Sequence, residues 1–272
     1  MCDTLNNIAS LVQEHDWVDL FWWPYNEQLW IKTVDRTDEP VRCSLRHSRR
    51  DAWSTWLAMK LMAVAYAMLR RWPRLTPAIC RAAFRGAPTG DRVVDRMDAI
   101  HYRRAIEAVP LRCMEMAFTI DPDFNNVRRA WSTAVETLEE FAQQGRYPLN
   151  MTMNARFTNG SSALLSPAGS PGHTCWIEML SHQKTPGWEE FSRRIADEWL
   201  KLPGARFHWA KEWEHIPGAE EHIARSYGAN LQRFLDLRDG FDPHHMFTNP
   251  LLDRIFTPAP ASYNAGLSAT NT

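Results

Sequence analysis

Residues 149–158 alternate strictly between apolar and polar side chains, and this alternation constrains the fold more than any other feature of the chain. An extended strand here carries Leu149, Met151, Met153, Ala155 and Phe157 on one face, and Asn150, Thr152, Asn154, Arg156 and Thr158 on the other. The apolar face requires a core to cover it. The polar face is either an ordinary solvated surface or the wall of a cavity, and the spacing alone does not decide between them.

The rest of the chain supplies further strands and the helices that can cover them. The predicted elements are a hairpin of residues 17–23 and 28–34, a strand at 112–120, a helix from Asp121 to Gly145, a strand at 175–180, a helix at 188–202, and a last helix that carries Ile223 to Leu235 and is closed by Asp242 and Pro243. Strands and helices in this order predict an α+β fold, in which helices cover one face of an antiparallel sheet. We expect one domain over residues 1–257.

The composition is typical of a globular chain with a net charge near zero. Of the 272 residues, 44% are hydrophobic, which is enough for a sizeable core. Because 31 Lys and Arg residues face 32 Asp and Glu residues, the chain lacks the basic excess of a nucleic-acid-binding protein. Five cysteines lie far apart without a CxxC pair, as is typical of reduced thiols, and no secretory leader precedes them. These features predict a cytoplasmic protein.

Residues 52–69 are the one segment relevant to a membrane. They contain a single charge, Lys60, and basic residues flank them on both sides. Three interpretations are open: a helix buried against the domain or a partner, a helix lying peripherally in a membrane interface, and a span, for which about 20 apolar residues are needed. We predict a hydrophobic helical insertion at about 52–84, and a disordered tail at 258–272, where apolar residues are few.

Common site motifs are absent from the sequence. It contains no GxGxxG, GxxxxGK[ST], GxSxG or HExxH, so it predicts no self-contained nucleotide site. His244 and His245 follow a helix, but no third metal-ligating side chain lies at a suitable spacing from them. We therefore predict no metal site. His208 and Lys211 project from a short segment between two helices. They could converge on one anionic or electron-rich group, and the alternative is a solvated Lys beside a packed Trp.

Four segments carry a family resemblance. They read VDLFWWPYNEQLWIKTVDRT, NARFTNGSSALLSPA, GARFHWAKEWE and LRDGFDPHHMFTNPLLDRIF, in this order. The chain from about Ile8 to Phe256 resembles the C-terminal half of the sugar-1,4-lactone oxidases, which are the gulonolactone and arabinonolactone oxidases among the vanillyl-alcohol-oxidase-type flavoproteins. Alditol oxidases and one class of cholesterol oxidase are similar in the same region. The resemblance implies the cap, or substrate, domain of such an enzyme.

The same resemblance implies a cofactor and a partner. These enzymes carry an N-terminal FAD domain with a Gly-rich pyrophosphate loop, which the matched segments do not include. We therefore expect FAD to be bound mainly by a domain absent from this chain, as a separate subunit or as the rest of a longer protein. The chain is expected to be incompetent alone, and its other partner is a small-molecule sugar lactone or alcohol.

Site residues follow from the resemblance one position at a time. In the family a Glu-x-Arg on a cap strand faces the flavin ring, and this chain has Asn154 and Arg156 there. Arg156 is implied to polarise a substrate oxygen or to hold negative charge near reduced flavin. Asn154 forms hydrogen bonds but cannot act as a base. Restoring a carboxylate by Asn154→Glu is therefore expected to increase turnover if the chain belongs to a weakened oxidase.

The second matching motif is His-Trp-x-Lys, which supplies His208 and Lys211. In the family the Lys approaches the substrate and the flavin edge, so its charge would stabilise charge that develops as hydride leaves carbon. His208 is a candidate catalytic residue, and the alternative role for it is to orient this loop. Lys211 and Asn249 are implied to contact the cofactor, and Glu178 on a neighbouring strand is a further candidate.

Two functional hypotheses from different classes remain. The first is the substrate-binding domain of an FAD-dependent lactone oxidase-like enzyme, which oxidises a hydroxyl by hydride transfer to flavin. The second is a catalytically silent cap that binds a partner flavoprotein or a membrane through its Trp-rich surface. A cap of a cholesterol or alditol oxidase-like enzyme is a variant of the first, since one scaffold serves each substrate.

Overall fold

A computed structural model describes residues 1–41, 49–100, 109–169 and 172–256. Within these residues, six strands form one sheet: β1 (Trp17–Trp22), β2 (Trp30–Val34), β3 (Leu111–Thr119), β4 (Met153–Asn159), β5 (His173–His182) and β6 (Arg206–Phe207). Their order across the sheet is β2-β1-β4-β5-β3-β6, and every neighbouring pair is antiparallel. The predicted antiparallel sheet is confirmed.

Helices connect and cover these strands. They are α1 (Cys2–Asn6), α2 (Ile8–Glu14), α3 (Arg49–Arg71), α4 (Thr76–Arg85), α5 (Arg96–Ile100), α6 (Asn125–Gln143), α7 (Trp188–Trp199), α8 (Ala219–Tyr227), α9 (Ala229–Phe241) and α10 (Pro250–Phe256), with a 3-10 turn at Pro73–Leu75. Helices α6 and α7 pack on each other and against the central strands. The Trp199 indole of α7 donates a hydrogen bond to the Ala130 carbonyl of α6, with 2.9 Å between the atoms.

The core lies between this helical layer and one face of the sheet. The strand residues that fill it are buried at alternate positions: Val18, Leu20, Trp22, Met114, Met116, Phe118, Met153, Ala155, Cys175, Ile177 and Met179. The helices contribute large rings such as Trp131, Phe141 and Trp199, whose burial supplies much of the hydrophobic free energy. The alternation predicted from the sequence therefore holds, and the polar side chains of the central strands lie on the other face.

Several predicted boundaries are wrong for local reasons. Strand β4 begins at Met153 and not at 149, because Asn150 turns inward, and its amide oxygen accepts hydrogen bonds from Ser181 Oγ and the His182 N–H. The predicted last helix is two helices that break at Gly228, where φ is +47°. Asp121 precedes α6, and its carboxylate accepts the first N–H groups of that helix.

The predicted insertion consists of α3, the 3-10 turn and α4. Tyr66 and Leu69 of α3 are buried, and the Tyr66 ring stacks on His182 with 4.6 Å between centroids. The opposite side of α3 is open: Trp53 is 64% exposed and Leu61 is 62% exposed. None of the helices described is at once long enough and apolar enough to cross a membrane. The predicted tail at 258–272 lies outside the described residues, and the domain boundary at 257 stays a prediction.

Candidate functional site

A row of polar side chains crosses the open face of the three central strands. Asn154 on β4 and Glu115 on β3 are both register partners of Glu178 on β5, so the three residues lie side by side. Arg156 lies two residues beyond Asn154, opposite Trp176. The four polar residues point away from the core because strand side chains alternate and their neighbours Met153, Ala155, Met114 and Ile177 are buried.

Arg156 forms an ion pair with Glu115 that spans the whole width of β5. Arg156 Nη2 lies 2.6 Å from Glu115 Oε1, and its Nε lies 3.2 Å from the same oxygen. The Glu115 side chain is fully buried, whereas Arg156 is 31% exposed. A buried carboxylate requires a compensating cation, so Glu115 fixes the direction of Arg156 and Arg156 neutralises Glu115. The outer part of the guanidinium remains accessible from the open face.

Lys211 pairs with Glu178 in the opposite direction, across β3. Lys211 Nζ lies 2.7 Å from Glu178 Oε1, and the two side chains are 28% and 12% exposed. Burial by itself raises the pKa of Glu178, but the nearby Lys211 charge and hydrogen bond outweigh it and hold that pKa below its usual range. Burial likewise opposes the charge of Lys211, and Glu178 overcomes it and raises the Lys211 pKa. Both groups are therefore charged at neutral pH.

The segment that carries His208 and Lys211 is held against β3 by its backbone. The His208 N–H donates to the Glu115 carbonyl at 3.0 Å, and the Lys211 N–H donates to the His208 carbonyl at 3.1 Å. The turn that leads into this segment contains Gly204 at φ +67°, where a Cβ would collide with Thr119. Sequence and backbone together therefore place these two side chains at the edge of the polar row.

His208 lies between the two ion pairs as a neutral ring. Burial lowers the pKa of His208, and the opposing charge of Glu115 does not restore it. The Ala210 N–H donates to His208 Nδ1 at 3.1 Å, which assigns the proton of the neutral ring to Nε2. That Nε2 lies 3.8 Å from Glu115 Oε2, beyond hydrogen-bond distance. The ring packs edge-on against Trp176, with 5.5 Å between centroids.

Two further residues complete the surroundings of Glu178. Asn154 Nδ2 donates to Glu178 Oε2 at 3.1 Å, and the Cys113 thiol donates to Glu178 Oε1 at 3.2 Å. Burial and the adjacent Glu178 charge raise the pKa of Cys113, so it remains a thiol. Cys113 and Glu115 were not among the candidates predicted from the sequence. Both fall on the polar side of the alternating strand at 112–120, which was the available signal, but their partners depend on strand register.

Five of the candidates from the sequence come together in this cluster: Asn154, Arg156, Glu178, His208 and Lys211. Asn249 does not join them through any described contact. It is exposed, and its side-chain oxygen accepts the N–H groups of Leu251 and Leu252, each at 3.0 Å, which makes it the N-cap of α10. In the part of the chain that the structure describes, no three His, Cys, Asp or Glu side chains are arranged to hold a metal ion.

Comparison with known proteins places this chain in a family. The family profile described as D-arabinono-1,4-lactone oxidase matches residues 1–255. Similar proteins include L-gulonolactone oxidase of Scyliorhinus torazame, 22% identical over 94% of this chain and 55% of that protein, and L-gulono-1,4-lactone dehydrogenase of Mycobacterium tuberculosis, 22% identical over 95% and 56%. The chain thus spans about half the length of the relatives it matches.

Solved structures share the fold. A solvent-stable cholesterol oxidase aligns with a TM-score of 0.70 at 19% identity, over 92% of this chain and 55% of that one. The cholesterol oxidase of B. sterolicum aligns with the same TM-score at 17% identity. The resemblance carried by the four sequence segments is therefore confirmed. The chain belongs to the D-arabinono-1,4-lactone oxidase family.

Proposed function

We propose that this chain binds the substrate of an FAD-dependent enzyme that oxidises a hydroxyl of a sugar 1,4-lactone or a related alcohol. The observation that carries the proposal is the cluster on the open sheet face, where Arg156 and Lys211 present partly exposed cations beside Glu178. Neighbouring strands hold Arg156 and Glu178, and backbone hydrogen bonds hold the segment of Lys211 against β3, as a reaction that depends on fixed charges requires. The family match supports a lactone as the first substrate to test.

The cluster suits the ring of a flavin better than its diphosphate. Its partly exposed groups include the donors of Arg156 and Lys211 and the acceptor carboxylate of Glu178, and beside them Asn154 Oδ1 is buried without a hydrogen-bond partner among the described residues. Such groups match the donor and acceptor atoms of a flavin ring edge or a substrate oxygen. The sequence contains no Gly-rich phosphate loop, which supports an FAD held mainly by a domain or subunit outside this chain.

When bound, flavin supplies the acceptor for hydride that leaves the substrate carbon. This chain's residues bind and orient the hydroxyl that is oxidised. Lys211 and Arg156 stabilise negative charge near the acceptor, since charge in a half-buried site is weakly screened. His208 can donate a hydrogen bond through Nε2, because its Nδ1 is already engaged by the Ala210 N–H.

A second function, surface docking through α3, is favoured by one observation. Trp53, Leu61 and Val64 are more than half exposed on that helix, and Arg70 and Arg71 lie in its last turn. An apolar helix face with basic residues fits a peripheral membrane surface or the FAD domain itself. Flotation with vesicles of anionic and of zwitterionic lipids tests whether the chain binds a membrane surface.

We further propose a cytoplasmic, reducing location, which the free thiols of Cys80, Cys113 and Cys175 support.

The test of the proposed function is reconstitution. The chain is expressed with a candidate FAD domain of this family, and the flavin absorbance is recorded before and after addition of D-arabinono-1,4-lactone or L-gulono-1,4-lactone. We expect flavin in the complex, none in the chain alone, and loss of the oxidised flavin band when lactone is added without oxygen. Stoichiometric FAD in the chain alone, or a complex whose flavin no lactone or alcohol reduces, would contradict the proposal.

A further inference from the structure

Two carboxylates belong to the cluster, and only one of them can touch a bound molecule. Glu115 is fully buried beneath Arg156, while Glu178 is 12% exposed at the centre of the open face. Glu178 also has direct partners on both sides, Asn154 on β4 and Glu115 on β3. A molecule that lies on the central strands can therefore contact Glu178 but not Glu115.

The hydrogen bonds of Glu178 are arranged unevenly between its two oxygens. Oε1 accepts from Lys211 at 2.7 Å and from the Cys113 thiol at 3.2 Å, which uses both of its acceptor positions. Oε2 accepts from Asn154 at 3.1 Å, and in the described part of the chain that is its one donor. Oε2 therefore has room for one more hydrogen bond, such as one from a substrate hydroxyl.

We propose that Glu178 is a catalytic residue whose Oε2 accepts the proton of the substrate hydroxyl as that hydroxyl is oxidised. The proposal rests on the proposed function. In this step the C–H bond breaks and hydride goes to the flavin, the O–H bond breaks and its proton goes to Glu178, and the electron pair of the O–H bond forms the C=O bond. Lys211 and Asn154 hold the carboxylate in place.

The strong pairing of Glu178 with Lys211 is compatible with this role. A salt-bridged carboxylate is a weak base toward a resting alcohol. The hydroxyl becomes strongly acidic as hydride leaves its carbon, however, so a weak base suffices if it is already in contact. The alternative base is His208. Its Nδ1 already accepts from the Ala210 N–H and its Nε2 carries the proton of the neutral ring, so neither nitrogen is free to accept the substrate proton.

Two variants of Glu178 test the proposal: Glu178→Gln, which keeps the shape of the side chain, and Glu178→Ala, which removes it. In Glu178→Gln, the amide oxygen can still accept from Lys211 and Cys113. The amide nitrogen then faces the Asn154 amide, which turns over so that its Oδ1, unpaired in the described residues, accepts in place of the Nδ2 donor. This variant should therefore fold. Glu178→Ala creates a small cavity that a formate ion can enter. Glu198→Gln on the exposed side of α7, where Glu198 pairs with Lys201, is the matched control.

The experiment uses two measurements. In the reconstituted enzyme, the rate of flavin reduction by D-arabinono-1,4-lactone should fall about 10²-fold or more in both Glu178 variants. Added formate should restore part of this rate in Glu178→Ala alone.

In the flavin-free chain, an NMR titration with the same lactone follows the indole N–H of Trp176, which lies beside the cluster. Glu178→Gln should weaken that binding about 10-fold, since a hydrogen bond to a charged acceptor is lost.

The outcomes separate the two proposals. In the first outcome, lactone reduces the flavin of the wild-type complex, and the Glu178 variants react at rates within about 3-fold of wild type. This outcome overturns the role of Glu178 but supports the proposed function. In the second outcome, the Glu178 variants reduce flavin slowly, formate does not restore the rate, and the affinity for lactone is unchanged. This outcome also overturns the catalytic role of Glu178 and indicates that Glu178 positions Lys211. If no lactone or alcohol reduces the wild-type flavin, the proposed function fails and the role of Glu178 fails with it.

Discussion

Glu115 and Glu178 face each other in direct register across β3 and β5, and each is neutralised by a cation from an element two positions away. Arg156 reaches Glu115 from β4 across β5, and Lys211 reaches Glu178 from the loop after β6 across β3. Two carboxylates opposed in this way repel each other unless cations compensate them. The crossed pairs therefore stabilise the sheet and also fix the two cations that the proposed site uses.

The first prediction concerns the stability contribution of Arg156. Arg156→Ala leaves the fully buried Glu115 without its cation, so the free energy of unfolding should fall by about 3 kcal/mol. Adding Glu115→Gln to that variant should restore much of the loss, because the remaining group is neutral. Urea unfolding followed by tryptophan fluorescence measures both. Equal stabilities of the single and double variants would show that Glu115 does not depend on Arg156.

The second prediction concerns Asn154→Glu, for which the family resemblance predicts increased turnover if the chain belongs to a weakened oxidase. The register places this third carboxylate directly opposite Glu178, and the Asn154 Nδ2 donor to Glu178 is lost. We now expect the variant to be about 1 kcal/mol less stable and no faster in flavin reduction. Combining it with Glu178→Gln should restore the stability. A stable, faster Asn154→Glu enzyme would support the original expectation and contradict this one.

The third prediction concerns acid sensitivity. Burial lowers the pKa values of His208, His215 and His222, so the folded chain binds fewer protons at these sites than the unfolded chain. The free energy of unfolding should therefore decrease as the pH falls below about 6.5, the usual histidine pKa, and continue to fall until the folded-state values are passed. Urea unfolding at pH 7.5, 6.5 and 5.5 tests this. Stability that is flat over this range would refute it.

The fourth prediction separates the two sides of α3. Leu69 is buried, so Leu69→Ala should lower the free energy of unfolding by about 2 kcal/mol or more. Leu61 is 62% exposed on the same helix, and Leu61→Ala should change it by about 0.5 kcal/mol or less. Thermal and urea unfolding of the two variants provide the comparison. Similar losses in both would mean that the outer side of α3 is also packed.

The sequence predicts the two faces of the sheet well and their register poorly. Alternation along residues 149–158 assigns Asn154 and Arg156 to the polar face, and both lie there. Nothing in the local pattern indicates that Arg156 binds a carboxylate two strands away, because register depends on loops of different lengths and on the whole core. For this reason Glu115, which is central to the cluster, was not identified.

Two errors in secondary structure have similar causes. Asn150 fits the polar phase of the alternation, but it is buried because Ser181 and His182 satisfy its side chain. Ile223, Tyr227 and Leu231 keep helical spacing, and all three are buried, although the chain turns at Gly228 between the second and the third. Packing against the core selects apolar positions on both sides of a break, so periodicity alone does not reveal it.

The most direct test of the account is a double-mutant cycle of Arg156→Ala and Lys211→Ala, measured by stopped-flow flavin reduction in the reconstituted enzyme with D-arabinono-1,4-lactone. If both cations face one reacting centre, as proposed, each single variant should slow reduction about 10²-fold or more, and by more than it weakens lactone binding. The double variant should be much less impaired than the product of the two. Wild-type reduction rates in both single variants would contradict the placement of these residues at the site.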